Sequence, residues 1–424
     1  MRSLAEWLEQ QQRSHPNTID LTLSRVREVA RRLDLLTPDY RVITVGGTNG
    51  KGSTVACLDA MLRAAGQRCG RFTSPHLARY NERICVNGIE ADDSHLIAAF
   101  ERIDAARAEI TLTFFEYNAL AALDVFRRSP VDVAVLEVGL GGRFDATNII
   151  DADVAVVCSI GIDHIDWLGD TLEAIGREKA GIFRKGRPAV LGSADLPGSV
   201  WAAIEEVGAR AVVPGRDYSF REGAHADRSG WSFEYGEFSL RDLPPSALAG
   251  IHQTANAAAA LAALTALGGI ELTHANVSQA LRAVRLPGRF QRVPGDVEWI
   301  FDVAHNVPAA LGLAANLRTL PRVPTIAVCG ILGDKDLQGI TAALSADIDA
   351  WVLVTLDGPR AVSTRELARH LPADARILAH AADVAAGCRV ARDAARTGDR
   401  ILVFGSFLTV GPALEFLGPE FIGL

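Results

Sequence analysis

Residues 41–55 read RVITVGGTNGKGSTV, and the parsing of the whole chain follows from them. Val42, Ile43 and Val45 make a short apolar run suited to a buried strand. Glycines, Lys51 and two hydroxyl residues come next, and the alanine, leucine and methionine running on to Ala65 predict a helix. Strand, glycine-rich turn and helix in that order form a cradle for phosphate groups. Gly46, Gly47, Gly50 and Gly52 allow backbone dihedrals that a Cβ forbids, so N–H groups can converge on an anion. Lys51 can reach the β- and γ-phosphates, and Ser53 or Thr54 can offer a hydroxyl to Mg²⁺. Gly52 stands between the lysine and the hydroxyl, where the common G-x-x-x-x-G-K-[ST] pattern has no residue.

Working outward, the pattern predicts short amphipathic helices at residues 3–12 and around Leu23, Val26, Val29, Ala30 and Leu33, then helices at 92–108 and 114–128. A strand ends at Thr73–Ser74 before Pro75. VDVAVLEVGLGG (131–142) is a buried strand entering a glycine turn, and DVAVVCSIGIDH (153–164) repeats the design with a polar Asp163–His164 tip. Strands alternating with helices imply a parallel sheet, whose carboxyl edge is where ligands bind in open α/β folds. The glycine loop, Ser74, Glu137 and Asp163–His164 are all expected there.

Residues 217–245 alternate and carry turn residues, predicting a small antiparallel hairpin region over one edge. Helices follow at 252–267 and 273–284, the second capped by Thr273. RLPGRFQRVPGD (285–296) has the composition of a linker. Beyond it VEWIFDVAHN, TIAVCGILGD, DAWVLVTL and RILVFGS restart the strand–helix rhythm as a second, smaller α/β domain.

A chain of 424 residues exceeds what one core usually serves, so two or three domains are expected. A net charge of −8 argues against broad nucleic-acid or membrane-surface binding, while leaving room for local basic sites. The six cysteines (57, 69, 85, 158, 329 and 388) include no C-x-x-C pair and read as small buried residues of a reducing compartment. The N-terminus lacks a signal-length apolar core and no run is long enough to span a bilayer, so a cytoplasmic enzyme is expected.

Chemistry-bearing residues cluster at the predicted strand ends. A carboxylate such as Glu137 is costly there unless paired or bound to a cation, and beside a phosphate loop Mg²⁺ is the natural partner; the plainer reading is a capping carboxylate in a turn. Ser74 can add a hydroxyl ligand, or serve only as a turn residue before Pro75. Mg²⁺ prefers oxygen, so His164 reads equally as a supporting or core residue. Lys179 is either part of a surface charge cluster with Arg177 and Glu178 or a lysine turned inward, able to react as a neutral amine; the residues alone favour the surface. In the second domain Asp302, His305 and Asn306, then Asp334–Lys335–Asp336 and Ser406, end predicted strands and suit a site facing the first domain, or are ordinary loop polarity. Arg289 can bind a phosphate or form an ion pair.

Taken together, GTNGKGS (47–53), SPHL (74–77), NERI (81–84), EVGLGGRFDATN (137–148), SIGIDH (159–164), GREKAGIF (176–183), PGRF (287–290), DVAHN (302–306), GDKD (333–336) and GSF (405–407) resemble the folylpolyglutamate synthases. Within the Mur ligase superfamily they are most similar to the bacterial bifunctional dihydrofolate synthase/folylpolyglutamate synthases. The resemblance spans nearly the whole chain and accounts for Gly52.

It implies an α/β fold: a Mur-ligase-like P-loop domain with a parallel sheet and the pterin site over 1–286, a linker at 287–296, and a Rossmann-like α/β domain over 297–424 completing the ATP and glutamate sites. It implies an ADP-forming ligase that joins L-glutamate to 7,8-dihydropteroate and to reduced folates through an acyl phosphate. By the resemblance Asn49, Gly50, Lys51, Gly52 and Ser53 hold ATP phosphates, and Asn256, Arg289 and Asp302 contact the nucleotide. Ser74, Glu137 and His164, with Ser53, hold Mg²⁺, expected as two ions. Lys51, Glu137, His164 and Lys179 form the catalytic set, Lys179 being carbamylated to N6-carboxylysine. The pterin side falls on Asp20, Leu21, Thr22, Thr113, Phe114, Phe115, Glu116, Phe144, Asp145 and Ala146, and the glutamate side on His305 and Ser406. Val307 stands where the family commonly has proline, and Leu408 where it often has histidine. A monomer acting on small molecules, with no nucleic-acid or membrane partner, is expected. A Mur-type ligase acting on a cell-wall precursor and an ATP-dependent switch protein are the alternative readings.

Overall fold

Val42, Ile43 and Val45 lie in β1 (Arg41–Gly46) and are almost wholly shielded from water. β1 pairs in parallel with β5 on one side and β6 on the other, so neither of its edges is free. The structure is a computed structural model and describes residues 2–17, 19–223 and 230–421. Around β1 the first sheet comprises β2 (Cys69–Phe72), β3 (Ile84–Val86), β4 (Ile89–Glu90), β5 (Val133–Glu137), β6 (Val154–Val157), β7 (Pro188–Leu191) and β8 (Arg210–Val212). Their order is β4-β3-β2-β5-β1-β6-β7-β8, and all run the same way except β3, which pairs antiparallel with β2 and β4 at one edge. The sequence reading does not mark β7 and β8, whose PAVL and RAV runs are too short to separate strand from loop.

Local signals place the helices near their expected bounds. Leu4–Arg13 begins with a capping box between Ser3 and Glu6, and Phe114–Arg127 with another between Thr113 and Glu116. Val26, Val29 and Ala30 give Ser24–Arg32 its buried stripe. Trp7, Phe72, Tyr80, Phe100, Tyr117 and Phe126 share one core with these stripes, each side chain contributing roughly 2 kcal/mol of burial.

β9 (Tyr218–Glu222), β10 (Trp231–Tyr235) and β11 (Phe238–Leu243) form a three-stranded antiparallel sheet where the hairpin region is expected. Residues 224–229 of that region lie outside the described residues. The Tyr218 hydroxyl donates to the Leu191 carbonyl at 2.7 Å, tying this sheet to the end of β7.

A second sheet contains β12 (Gln291–Val293), β13 (Glu298–Asp302), β14 (Thr325–Cys329), β15 (Ala350–Val354), β16 (Ile377–Ala381) and β17 (Arg400–Phe404), in the order β12-β13-β17-β14-β15-β16. All are parallel except β12, an antiparallel edge strand drawn from the stretch read as linker. Pro294 follows it directly, which an edge strand tolerates. β16 escapes the sequence reading because ILAHA is only partly buried at the opposite edge.

Tertiary contacts divide the chain into two units. Met1–Gly161, Leu168–Ser246 and Thr254–Val284 make the first; Ile162–Trp167, Ala247–Gln253 and Arg285–Leu424 make the second. The Asp163–His164 tip, expected with the first sheet, therefore clusters with the second unit. Among the described residues no helix is long and apolar enough to cross a membrane.

Candidate functional site

The loop after β1 is fixed by the segment that follows β6. Thr48 N–H donates to the Ser159 carbonyl at 2.7 Å, and Thr48 Oγ1 exchanges hydrogen bonds with both backbone groups of Gly161. Ser159 Oγ accepts from Asn49 N–H at 3.1 Å and donates to the Asn49 carbonyl at 2.9 Å. Gly47 (φ +137°) and Gly50 (φ +89°) occupy conformations that other residues rarely adopt. A Cβ on Gly50 would come within 2.7 Å of Asn256 Oδ1, so that glycine is what allows Asn256 to lie against the loop. Helix Lys51–Ala64 starts immediately afterwards, with Gly52 and buried Ser53 in its first turn, and its unpaired N–H groups and dipole favour an anion.

Two cations border the loop. Lys51 Nζ donates to the carbonyls of Gly47 (3.0 Å) and Thr48 (3.2 Å). Lys179, on helix Leu172–Ala180, is only 5% exposed and also donates to the Gly47 carbonyl. The inward orientation of Lys179 is therefore the observed one, against what the residues alone favoured.

Glu137 ends β5, buried, and its Oε2 accepts from Ser74 N–H at 3.2 Å, just beyond the neighbouring strand β2. The first unit thus brings Asn49, Gly50, Lys51, Gly52, Ser53, Ser74, Glu137, Lys179 and Asn256 to the carboxyl edge of β2, β5 and β1. Among the described residues no three His, Cys, Asp or Glu side chains converge as a metal site. A hard cation at Glu137 would accordingly complete its shell with hydroxyl, water and phosphate oxygens, which suits Mg²⁺.

His164 belongs to the second unit. Its backbone is left-handed (φ +53°), and its N–H donates to Asp163 Oδ1 at 2.8 Å. Asp163 also accepts from Lys335 Nζ at 2.5 Å and Asn306 Nδ2 at 3.0 Å. Burial alone would raise this carboxyl; the charges of His164, Lys335 and His305 hold it well below the carboxylate range instead. Asp302 accepts from the N–H groups of Phe290 and Ala304 at 2.9 and 2.8 Å, while burial, opposed by the charge of Arg289, raises its carboxyl. Arg289 lies over the Phe407 ring at 5.0 Å. His305 Nδ1–H donates to the Val303 carbonyl at 2.7 Å, and Ser406 Oγ caps helix Phe407–Leu417 by accepting from Leu408 N–H.

Where the resemblance leads one to expect the pterin, the first unit joins residues far apart in sequence. Arg25 bridges Asp20 (2.8 Å) and Glu116 (3.1 Å), and Thr22 Oγ1 donates to Asp20. Leu21 is half-buried beside them. Sequence reasoning missed Arg25, whose only signal is its place five residues after Asp20 on an otherwise charged helix face. Phe115 packs on Phe72, and a Cβ on Gly139 would strike its ring at 2.5 Å. Asp145, buried, accepts from the N–H groups of Gly139, Leu140 and Thr147 and from the Thr147 hydroxyl, fixing the glycine turn after β5. Ala146 is buried beside it, while Phe144 is exposed beneath the Arg143 guanidinium.

Residues 45–264 match the Mur ligase middle domain, and residues 288–407 the Mur ligase glutamate ligase domain. The chain is 43% identical to the dihydrofolate synthase/folylpolyglutamate synthase of Escherichia coli over 98% of its own length and 95% of that relative. It is similar to the solved Escherichia coli structure in complex with DHPP and ADP (TM-score 0.93, 42% identity, covering 99% of this chain and 98% of the other). A bifunctional folylpolyglutamate synthase/dihydrofolate synthase with Mn, AMPPNP and L-glutamate bound is similar at TM-score 0.90 and 43% identity, covering 98% of each chain.

Proposed function

The chain belongs to the dihydrofolate synthase/folylpolyglutamate synthases of the Mur ligase family, and we infer from that premise how its residues serve the ligation of glutamate to dihydropteroate and folates. The observation that carries the reading is the pair of lysines on the Gly47 carbonyl, beside a phosphate loop and a strand-end carboxylate. A carboxylate is a poor electrophile until a phosphate leaving group is installed on it. Installing one requires positioning and charge neutralisation more than covalent participation by the protein.

In this reading the N–H groups of Asn49–Ser53 and the Lys51 ammonium hold the ATP phosphates, with Asn256 against the loop. Ser53, Ser74, Glu137 and His164 are the residues for Mg²⁺, taken as two ions, which when bound would neutralise phosphate charge. Lys179, converted to a carbamate, would present oxygen in place of an ammonium. In the second unit Arg289 and Asp302 serve the nucleotide, and His305 and Ser406 glutamate. Asp20–Thr22, Thr113–Glu116 and Phe144–Ala146 serve the pterin end, with Asp145 acting through the turn it holds. The substrates are ATP, L-glutamate, 7,8-dihydropteroate and reduced folates, handled by a monomer. All six cysteines are free and buried, which supports a reducing, cytoplasmic setting.

The test is phosphate release with dihydropteroate, glutamate, ATP and Mg²⁺, each omitted in turn, with product masses. Release that requires all four, with a product heavier by one glutamate residue, is expected. ADP formation without a new amide would overturn the reading.

A further inference from the structure

Arg83 closes the short turn Tyr80–Arg83 before β3 and is buried. Its Nε–H donates to His76 Nδ1 at 2.7 Å. The guanidinium carbon lies 5.7 Å from the Tyr80 ring centre and 5.4 Å from that of Phe114, so two aromatic rings flank the cation. Among the described residues its two terminal nitrogens have no hydrogen-bond partner, and no carboxylate lies within 4 Å of them.

The nearby carboxylates are engaged elsewhere. Glu82 accepts from the N–H groups of Leu77, Ala78 and Arg79 at 2.6–2.8 Å. Glu137 accepts from Ser74 N–H, and the N–H of the preceding residue, Thr73, donates to the Arg83 carbonyl at 2.9 Å, which sets Arg83 beside the same turn. A buried guanidinium with its inner nitrogen tied and its outer fork open is built for an anion brought from outside, and the planar fork matches a carboxylate with two parallel bonds.

We propose that Arg83 is the residue that receives the benzoate carboxylate of the pteroate-type acceptor. The proposal rests on the ligase reading above. Phe114 belongs to the segment assigned to the pterin end, and Glu137 to the metal. Arg83 neighbours both, where an acid spanning from pterin to phosphoryl group must put its carboxylate. As the carboxylate oxygen bonds to the γ-phosphorus, the bond from phosphorus to the bridging oxygen breaks and ADP leaves. The glutamate nitrogen then bonds to the carbonyl carbon, phosphate departs with its oxygen, and the amine proton passes to solvent. Arg83 keeps its protons throughout and orients the acid.

The full-length protein tests this with R83M and R83K. In R83M the KM for dihydropteroate is expected to rise about 10- to 100-fold, the range of a charge-assisted bidentate bond. The KM values for ATP and glutamate should stay within about twofold, and R83K should recover part of the loss. ADP binding by calorimetry serves as the folding control. Independently of any variant, the wild-type protein in EDTA and without nucleotide should bind dihydropteroate more tightly than its primary carboxamide. Equal binding of acid and amide, or a loss in R83M spread evenly over all three substrates, would overturn the proposal. A wild-type protein that made no amide would overturn the ligase reading, while the acid–amide comparison would still decide the role of Arg83.

Discussion

Lys51 and Lys179 donate to one and the same oxygen, the carbonyl of Gly47, each from 3.0 Å. They come from different helices and are 128 residues apart in number, yet two ammonium groups share a single acceptor at the base of the phosphate loop. Reaction of the Lys179 amine with carbon dioxide, with loss of a proton, would turn one of these cations into an anion and leave Gly47 to Lys51.

Turnover should therefore fall when bicarbonate and dissolved carbon dioxide are removed, and return when bicarbonate is restored. Native mass spectrometry should show the added mass of one carbon dioxide, absent from K179A. K179A should lose on the order of 100-fold in kcat and show no bicarbonate response. Wild-type-like turnover in K179A would end this account of the lysine.

Glu137 and His164 offer different chemistry to a cation, and their removal should register in metal dependence. E137Q and H164A are each expected to need at least about tenfold more Mg²⁺ for half-maximal rate, with circular dichroism unchanged. Wild-type Mg²⁺ titrations in both would take these residues out of the metal site.

Asp145 satisfies three backbone N–H groups and one hydroxyl with a single buried carboxylate. D145A orphans all four donors and should cost roughly 2–4 kcal/mol in urea unfolding. D145N keeps the shape and should cost less. A cost below about 1 kcal/mol in D145A would mean the turn after β5 is held by something else.

The Asp163–Lys335 pair is buried on both sides, each side chain 7% exposed. Removing one partner leaves an uncompensated charge, so K335M should destabilise the protein by about 3 kcal/mol or more. K335M/D163N should recover part of that loss, and a double-mutant cycle reads the coupling directly. Strictly additive effects would show that the pair does not act as a unit.

His305 gives a pH signature. Burial, partly opposed by Asp163, holds its imidazole below the ordinary value of 6.5 in the folded protein. The unfolded chain then binds more protons as pH falls below about 6.5, so stability is full above that pH and drops beneath it. The difference in melting temperature between wild type and H305Q, measured from pH 8 to 5, should narrow on acidification. A difference that widens instead would mean the folded imidazole is charged.

The sequence alone determines the β1–loop–helix unit, the buried β5 with Glu137 at its end, the longer helices of the first unit with the Thr273 cap, and the second strand–helix series. These are legible because apolar period, glycine conformation and capping chemistry act within a few residues along the chain. Its motifs were also enough to name the family. Tertiary structure alone decided that Lys179 turns inward, that Arg25 bridges Asp20 to Glu116, and that residues 291–293 form an edge strand. It also decided that residues 162–167 cluster with the second unit, where Asp163 meets a lysine 172 positions away. No local pattern encodes such a choice: a buried charge goes where the fold supplies an opposite one, and that partner exists only once distant strands have been brought side by side.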